Sequence, residues 1–379
     1  MAVVFVFPGQ GTQWAGMADD LMRESAVFAA SMRDCDRALA PHTRWSLLEV
    51  LQGTAWLDRV DMVQPALFAT MVSLAALWRA HDVEPAATVG HSQGEIAAAY
   101  VSGALTLGDA ARIVALRSAE LRSLAGGGGM LWVSCSCSGL RPWLTGGVSV
   151  AAVNGPASVV VSGGAAELEA LRAGLNAAGI RARRLPVDYA SHSAEVEPIR
   201  GRLLELLAPT APRPARVPMY STVTGEWIDT TGLDAGYWYR NLRQAVELEQ
   251  TVTLLAERGH GVFVEVGPHP VLGPALKETL REAGAASLVV GSLRRGQGGI
   301  GTFLAALGEL RAGAPASAPG ARGRHAAGRG HRERADHEPR PSGHPAPGQP
   351  AVRVAGSAGP PGPVPDLVPP PGGRPSADG

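Results

Sequence analysis

A serine held between two glycines is the residue in this chain best placed for chemistry. The stretch Gly90-His91-Ser92-Gln93-Gly94 follows an apolar run, Ala86–Val89, and precedes a helix-like run, Glu95–Tyr100. This order of strand, turn and helix is typical of a nucleophile elbow, in which a sharp turn exposes the serine Oγ above the end of a sheet. The pattern predicts Ser92 as a nucleophile, with the free N–H groups of the following helix directed at the reacting carbonyl.

A serine hydroxyl is barely ionised at neutral pH, so this nucleophile needs a general base. Six histidines precede the C-terminal segment: His42, His81, His91, His192, His260 and His269. His91 is adjacent to Ser92, but on an elbow its side chain is directed away from the serine Oγ. The pattern leaves the base open among these histidines, with His192 as one candidate.

Two further features could serve an acyl-transfer site. The backbone N–H of Gln93 is one expected oxyanion donor, and the Gly9-Gln10-Gly11 turn either supplies a second donor or simply ends a strand. Arg117 lies on a predicted helix. It is either a solvated surface residue or a planar fork that faces the site and binds a carboxylate.

Strands and helices alternate along most of the chain. Predicted strands are Val3–Phe7, Ala86–Val89, Met130–Val133, Val148–Val153, Ser158–Val161, Arg181–Val187, Val217–Ser221 and Gly261–Val266. Predicted helices are Met17–Glu24, Val27–Leu39, Pro65–Trp78, Glu95–Tyr100, Leu107–Leu124, Glu167–Ala178, one after His192, Asp234–Leu242, Val271–Arg281 and Ile300–Arg311. The pattern predicts an α/β fold.

The order of these elements predicts three regions. Residues 1–125 and 188–312 form a large α/β subdomain, and residues 126–187 form an inserted small α+β subdomain of the ferredoxin-like type. Residues 313–379 hold 15 of the 30 prolines and no Phe, Trp or Tyr, so we predict a disordered tail rich in Pro, Gly and Arg.

Composition excludes several classes of function. The formal net charge is zero, which argues against nucleic acid as a partner. The opening apolar run, Ala2–Phe7, is too short to span a membrane, and no signal peptide is evident. Neither the three cysteines nor the four histidines of the C-terminal segment, His325, His331, His337 and His344, have metal-ligand spacing. We therefore expect a cytoplasmic protein with no metal site and no membrane partner.

Seven motifs occur in an order that resembles the acyltransferase domain of modular polyketide synthases, kin to malonyl-CoA:acyl-carrier-protein transacylases. They are Phe7-Pro8-Gly9-Gln10-Gly11, Gln64-Pro65-Ala66-Leu67-Phe68, Gly90-His91-Ser92-Gln93-Gly94-Glu95, Leu116-Arg117-Ser118, Ala152-Val153-Asn154-Gly155-Pro156, Tyr189-Ala190-Ser191-His192 and Glu265-Val266-Gly267-Pro268-His269-Pro270. The resemblance covers about residues 2–311. It implies an α/β-hydrolase-like large subdomain with a ferredoxin-like insert, no bound cofactor and acyl-CoA as substrate.

The resemblance also implies roles for individual residues. Ser92 corresponds to the nucleophile, His192 to the base and Arg117 to the arginine that binds the extender carboxylate. The backbone donors of the oxyanion hole correspond to Gln10 and Gln93.

In the same family a backbone carbonyl orients the catalytic histidine. The segment Tyr239-Arg240-Asn241-Leu242-Arg243-Gln244 resembles the one that carries it, which places this role on Asn241. No acidic residue stands out as a third member, so the resemblance implies a Ser–His dyad. The following segment departs from the family pattern, with Ala245, Glu247 and Leu248 where relatives often carry Pro, Arg and Phe, so we expect an altered backbone near Asn241.

The resemblance extends to the extender unit. Tyr-Ala-Ser-His near the base and Gln93 after the nucleophile usually accompany methylmalonyl-CoA, and Gln64 ends a segment of the same type. Ser191 replaces a bulky Phe, which leaves room for an α-methyl group, and Tyr189 also faces this substrate site. The implied partners are (methyl)malonyl-CoA, an acyl carrier protein and the ketosynthase of the same synthase.

Several alternatives stay open. The chain could be selective for malonyl or ethylmalonyl groups instead. Water could attack the acyl-serine, which would make it a serine hydrolase of acyl thioesters. No ketosynthase motif precedes Met1 and no carrier-protein motif follows, so an inactive truncated remnant is a third hypothesis.

Overall fold

The computed structural model describes residues 2–313 of the chain. The predicted tail lies outside the described residues, except for Gly313. The strands are β1 (Val3–Phe7), β2 (Pro85–Gly90), β3 (Gly129–Val133), β4 (Val148–Gly155), β5 (Ser158–Gly163), β6 (Ala182–Arg184), β7 (Met219–Ser221), β8 (Glu226–Trp227), β9 (Val246–Glu247), β10 (Val262–Glu265) and β11 (Leu288–Gly291).

Helices cover most of the remaining described chain. The α-helices are α1 (Asp19–Glu24), α2 (Ala26–Leu39), α3 (Leu47–Leu51), α4 (Val60–Ala80), α5 (Gly94–Ser102), α6 (Leu107–Arg122), α7 (Cys137–Leu140), α8 (Ala165–Ala177), α9 (Arg200–Leu207), α10 (Ala235–Arg243), α11 (Leu248–Glu257), α12 (Gly273–Glu282) and α13 (Ile300–Gly313). Short 3₁₀ turns occupy Ala40–His42, Arg141–Trp143, Ala194–Ile199 and Thr230–Gly232.

A six-stranded sheet forms the centre of the larger part, in the order β11-β10-β1-β2-β7-β8. Its strands are parallel except for β8, which pairs antiparallel with β7. Strand β1 is buried along its whole length, as expected for a parallel strand covered on both faces. Because parallel strands end at the same edge, the turns after β1 and β2 lie side by side there.

A second sheet of five strands has the order β6-β3-β5-β4-β9. Its first four strands pair antiparallel and come from one continuous stretch of chain with the connectivity β-α-β-β-α-β. The fifth strand, β9, comes from outside the predicted insert and pairs parallel with β4. The second sheet therefore includes a strand from outside the predicted insert, which the sequence pattern did not indicate.

Helix α4 begins earlier than predicted. Pro65 was expected in its first turn, but the helix begins at Val60, so Pro65 lies inside it and cannot donate a helical hydrogen bond. By length and composition α4 could cross a membrane, but 83% of its most apolar window is buried within the fold. This burial is what a core helix shows.

Candidate active site

The nucleophile elbow connects β2 to α5. Ser92 has a φ of 53°, a left-handed conformation that is uncommon for a residue with a side chain. A Cβ at Gly90 would lie 2.1 Å from the Cα of Glu95, and one at Gly94 would lie 2.2 Å from the carbonyl oxygen of Phe7. Both flanking positions therefore require glycine.

His192 faces the nucleophile from a segment 100 positions away. Its Nε2 lies 2.8 Å from the Oγ of Ser92, and its backbone N–H donates to the carbonyl of Leu242 at 2.8 Å. The Nδ1 lies 2.7 Å from the backbone carbonyl oxygen of Gln244, so Nδ1 carries the hydrogen and Nε2 is free to accept one. Burial lowers the pKa of His192 to about 3, which keeps the imidazole neutral at pH 7.

The predicted role of the Asn241 backbone carbonyl is corrected by this geometry, because the carbonyl on His192 belongs to Gln244. Helix α10 ends at Arg243. Gln244 has an extended backbone with ψ of 160°, so its carbonyl no longer points along the helix axis. Asn241 is still in the last helical turn. Its side chain serves the site instead, since Nδ2 donates to the carbonyl of Ser92 at 3.3 Å.

The turn after β1 brings a second backbone donor to the nucleophile. The N–H groups of Gln10 and Gln93 have no protein acceptor within residues 2–313, and both residues line the cleft beside Ser92. The Gln10 side chain is fixed, because its Oε1 accepts from the Tyr189 hydroxyl at 2.7 Å and from Gln64 Nε2 at 3.3 Å. The two N–H groups are thus available to an oxyanion.

Arg117 is buried, with 1% of its surface exposed, which removes the solvated alternative. Its Nε and Nη1 atoms have no hydrogen-bond partner in the described part of the chain. Burial lowers its pKa to about 10, while the nearby Tyr189 and Glu95 raise it, so the guanidinium stays charged at pH 7. A buried cation without a partner is costly, and an anion that enters the cleft supplies the missing one.

The cleft has a volume of about 120 Å³. Its lining combines the polar groups described above with six apolar side chains, those of Leu121, Met130, Ala152, Val160, Leu185 and Val187. The Ser191 hydroxyl donates to the Sδ of Met130 at 3.6 Å, where a polar and an apolar lining residue meet. Three of the apolar residues lie on strands of the second sheet, so both sheets contribute to the site.

The sequence pattern missed several polar side chains around the elbow. Glu95 is fully buried and accepts hydrogen bonds from Tyr237 and Asn241. His91 Nε2 lies 2.7 Å from the Oδ1 of Asn154 on β4, away from the Ser92 hydroxyl, in agreement with its expected direction. The sequence does contain one signal that could have indicated Glu95, namely a charged residue at the start of the otherwise apolar helix α5.

No cluster of three or more His, Cys, Asp or Glu side chains suited to a metal ion occurs within residues 2–313.

Comparison with known proteins gives one family over most of the chain. Residues 4–316 match the family described as the acyl transferase domain. Polyketide synthase GfsB of Streptomyces halstedii is 59% identical over 321 residues, which are 83% of this chain and 6% of that protein. Erythronolide synthase EryA3 of Saccharopolyspora erythraea is 56% identical over 317 residues, 82% of this chain and 10% of that protein. The chain thus spans about a tenth or less of these relatives.

Solved structures give the same result. The acyltransferase domain from module 8 of the salinomycin polyketide synthase matches with a TM-score of 0.79 and 52% identity, over 82% of this chain and 74% of that one. A loading acyltransferase from the avermectin modular polyketide synthase matches with a TM-score of 0.78 and 47% identity, over 82% of this chain and all of that one.

Proposed function

This chain belongs to the acyl transferase domain family, and from that premise we propose that it moves an extender acyl group from CoA to the phosphopantetheine thiol of an acyl carrier protein. The observation that carries the proposal is the buried, unpartnered guanidinium of Arg117 in the same cleft as Ser92. A serine nucleophile alone suits any acyl transfer. A buried cation beside it selects an acyl group that ends in a carboxylate.

The first half of the proposed reaction loads the serine. The Ser92 hydroxyl attacks the thioester carbonyl of the acyl-CoA and passes its proton to Nε2 of His192, which lies 2.8 Å away. The N–H groups of Gln10 and Gln93 stabilise the negative charge on the carbonyl oxygen. When the carbon–sulfur bond breaks, His192 returns the proton to the CoA thiolate and an acyl-serine remains.

The second half of the proposed reaction transfers the acyl group from Ser92 to the carrier protein. The carrier-protein thiol gives its proton to His192 and attacks the acyl-serine, and the same backbone donors stabilise the oxyanion. Collapse of this intermediate breaks the serine ester, and Ser92 takes the proton back. The chemistry uses side chains and backbone groups of this chain alone, so we propose that no bound cofactor or metal is needed.

We propose that His192 works as one half of a dyad. Its Nδ1 donates to the neutral carbonyl of Gln244 at 2.7 Å, in the position where a triad has a carboxylate. The carbonyl dipole fixes the tautomer that leaves Nε2 free and stabilises the imidazolium that forms. It does so without placing a second negative charge close to an anionic substrate.

The apolar part of the cleft lining supports methylmalonyl as the extender. Ser191 is small and contacts Met130, and Met130 and Ala152 both belong to the apolar lining. The Gln93 amide is 1% exposed and neither of its polar atoms has a partner within residues 2–313, so it is available to the acyl group. One methyl group is worth about 1–3 kcal/mol in such a pocket, so malonyl or ethylmalonyl selectivity is the alternative.

A competition assay tests the substrate. The chain is mixed with equal malonyl-, methylmalonyl- and ethylmalonyl-CoA, and the acyl groups on Ser92 and on the carrier protein are identified by mass spectrometry. We expect methylmalonyl to predominate on both. Release of free acid faster than carrier loading would favour a serine hydrolase, and absence of labelling that depends on Ser92 would favour an inactive remnant.

The larger assembly and architecture follow from the same proposal. We propose the ketosynthase of the same synthase as a partner and the cytoplasm as the location. We interpret residues 126–187 as a ferredoxin-like insert and residues 1–125 with 188–312 as an α/β-hydrolase-like subdomain. The parallel order of β10, β1, β2 and β7 and the antiparallel β3–β6 region support this division.

A further inference from the structure

A buried carboxylate lies beneath the nucleophile elbow, and the proposed reaction does not use it. Glu95 is on α5, three residues after Ser92, and is fully buried. Its two oxygens accept from the Tyr237 hydroxyl at 2.5 Å and from Asn241 Nδ2 at 2.7 Å. The Tyr237 hydroxyl lies 2.7 Å from Ser221 Oγ, which completes a chain of donors that ends on Glu95. Glu95 is not among the residues that line the cleft, so any effect on the reaction passes through these neighbours.

Two residues beside the Glu95 carboxylate, Asn241 and Thr222, also contact the backbone of the elbow. The second amide hydrogen of Asn241 is donated to the carbonyl of Ser92 at 3.3 Å. The Thr222 hydroxyl donates to the carbonyl of Gly90 at 2.7 Å and lies 3.3 Å from the Glu95 carboxylate. Because Ser92 has a left-handed backbone, its conformation is kept only where surrounding contacts over-determine it. These two bonds are such contacts.

The same helix that binds Glu95 also carries the acceptor for the base. Tyr237 and Asn241 lie within α10, and Gln244 directly follows the end of that helix. The Gln244 carbonyl binds Nδ1 of His192. The Glu95 carboxylate therefore connects two helices. One is α5, which begins two residues after Ser92, and the other is α10, which ends one residue before Gln244.

We propose that Glu95 is a positioning residue that aligns Ser92 with His192 by binding Asn241 and Tyr237 of helix α10. This inference rests on the proposed function, in which both residues act in one step. Each neighbour that contacts the Glu95 oxygens can donate a hydrogen bond to them, so both oxygens are occupied as acceptors. Burial raises the pKa of Glu95 to about 7, and the hydrogen bonds from Tyr237 and Asn241 lower it.

The test replaces Glu95 in two ways. Glu95→Leu keeps the approximate size and removes both acceptors, whereas Glu95→Gln keeps an oxygen for Asn241. We expect Glu95→Leu to slow both Ser92 acylation and labelling by a fluorophosphonate serine probe by about 10–100-fold, the usual effect of losing a residue that orients a catalytic group. We expect the KM for acyl-CoA to stay within about threefold of the wild type. Glu95→Gln should lose clearly less, within about tenfold of the wild-type rate, because it keeps an oxygen for Asn241.

Glu265 provides a matched control. It is also buried, and burial raises its pKa to about 7, but its carboxylate accepts from the N–H groups of Val271, Leu272 and Gly273 at the start of α12. We expect Glu265→Leu to lower thermal stability and leave the labelling rate of the folded protein unchanged. If Glu95→Leu does not fold, Asn241→Ala, which removes the bridging amide alone, is measured in its place with the same expected loss.

Three outcomes would overturn the inference: wild-type labelling by folded Glu95→Leu or by its substitute Asn241→Ala, equal losses in Glu95→Leu and Glu95→Gln, or an equal loss in Glu265→Leu. The probe needs no acyl-CoA, so the comparison separates two kinds of failure. A wild-type chain that reacts with the probe but takes no acyl group from any CoA thioester contradicts the proposed function and leaves the Glu95 comparison valid.

Discussion

The Tyr189 hydroxyl donates to Oε1 of Gln10 at 2.7 Å across 179 positions of the chain. Tyr189 precedes the proposed base by three residues, and Gln10 carries a proposed backbone donor for the oxyanion. The Tyr189 side chain thus helps to hold the Gln10 turn in place. In the proposed function, the residue that the family resemblance connects with the extender unit also fixes a group that acts on every substrate.

Tyr189→Phe separates these two effects. Removal of the hydroxyl leaves Gln64 as the remaining side-chain partner of Gln10 within residues 2–313, and one hydrogen bond is worth about 1 kcal/mol. We expect acylation by malonyl-CoA and methylmalonyl-CoA to slow by the same factor, about 5–10-fold. Tyr220→Phe is the control, because the Tyr220 hydroxyl binds Arg258 and neither residue lines the cleft. A change in the ratio of the two substrates without a common loss contradicts the positioning role.

A double change at Tyr189 and Ser191, to His and Phe, tests the extender pocket. Phe fills the space beside Met130 that the small serine leaves open. We expect preference to move toward malonyl-CoA by about 1–3 kcal/mol, measured as the ratio of kcat/KM values in competition. An unchanged ratio counts against this part of the pocket as the place of the methyl group.

Arg117→Ala tests the carboxylate contact. A hydrogen bond to a charged group is worth about 1.5–3 kcal/mol, so transfer of malonyl and methylmalonyl groups should fall by about 10–150-fold. Acetyl transfer should be nearly unaffected because the acetyl group has no carboxylate. Arg122→Ala on the same helix is the control, since Arg122 binds Asp61 at the protein surface. Equal losses for acetyl and malonyl would show that Arg117 does not bind the carboxylate.

The pKa of His192 predicts a change in stability with pH. In the folded chain it is about 3, while the unfolded value is the ordinary 6.5, so the unfolded state binds more protons between these values. The stability contributed by this histidine is therefore complete above pH 6.5 and decreases as the pH falls toward 3. His192→Asn keeps a residue that tolerates the left-handed backbone and does not titrate.

We expect the slope of the free energy of unfolding against pH to be smaller in His192→Asn, by up to about 1.4 kcal/mol per pH unit between pH 4 and 6. Urea unfolding at a series of pH values measures both slopes. Parallel curves for the two proteins would mean that His192 titrates normally in the folded chain.

His91 and Asn154 connect the two sheets. The bond between His91 Nε2 and Asn154 Oδ1, at 2.7 Å, joins the elbow to β4. Asn154→Ala leaves a buried imidazole without this partner, which costs about 1–3 kcal/mol of unfolding free energy. Asn176→Ala is the control, because Asn176 caps an exposed segment of the second sheet. A loss for Asn154→Ala no greater than for the control would show that this bond does not stabilise the sheet contact.

The sequence predicted several of the residues that the structure brings together in the cleft. Ser92 and the strand and helix around it have a local signature, and the family resemblance supplied His192 and Arg117. The error at Asn241 has a physical origin, because any residue can offer a backbone carbonyl. Which carbonyl reaches His192 depends on where helix α10 ends, and helix ends are poorly determined by sequence.

The missed elements have a similar explanation. Strand β9 has two residues and exists only because it pairs with β4. The surroundings of Glu95 depend on Tyr237 and Asn241 of α10, which bind its carboxylate, whereas an acidic residue in the first turn of a helix is ordinary in sequence. Burial, strand pairing and helix ends depend on tertiary contacts, so they cannot be predicted from the local sequence pattern.

Strand β9 begins two residues after Gln244, so the segment that holds the base is also an edge of the second sheet. Because only Ala245 separates Gln244 from β9, we expect a displacement of that sheet that widens the cleft to move the Gln244 carbonyl as well. Cleft width and the alignment of His192 would then change together. We expect an acyl branch too large for the cleft to be disfavoured twice, once by steric contact with the wall and once by misalignment of His192.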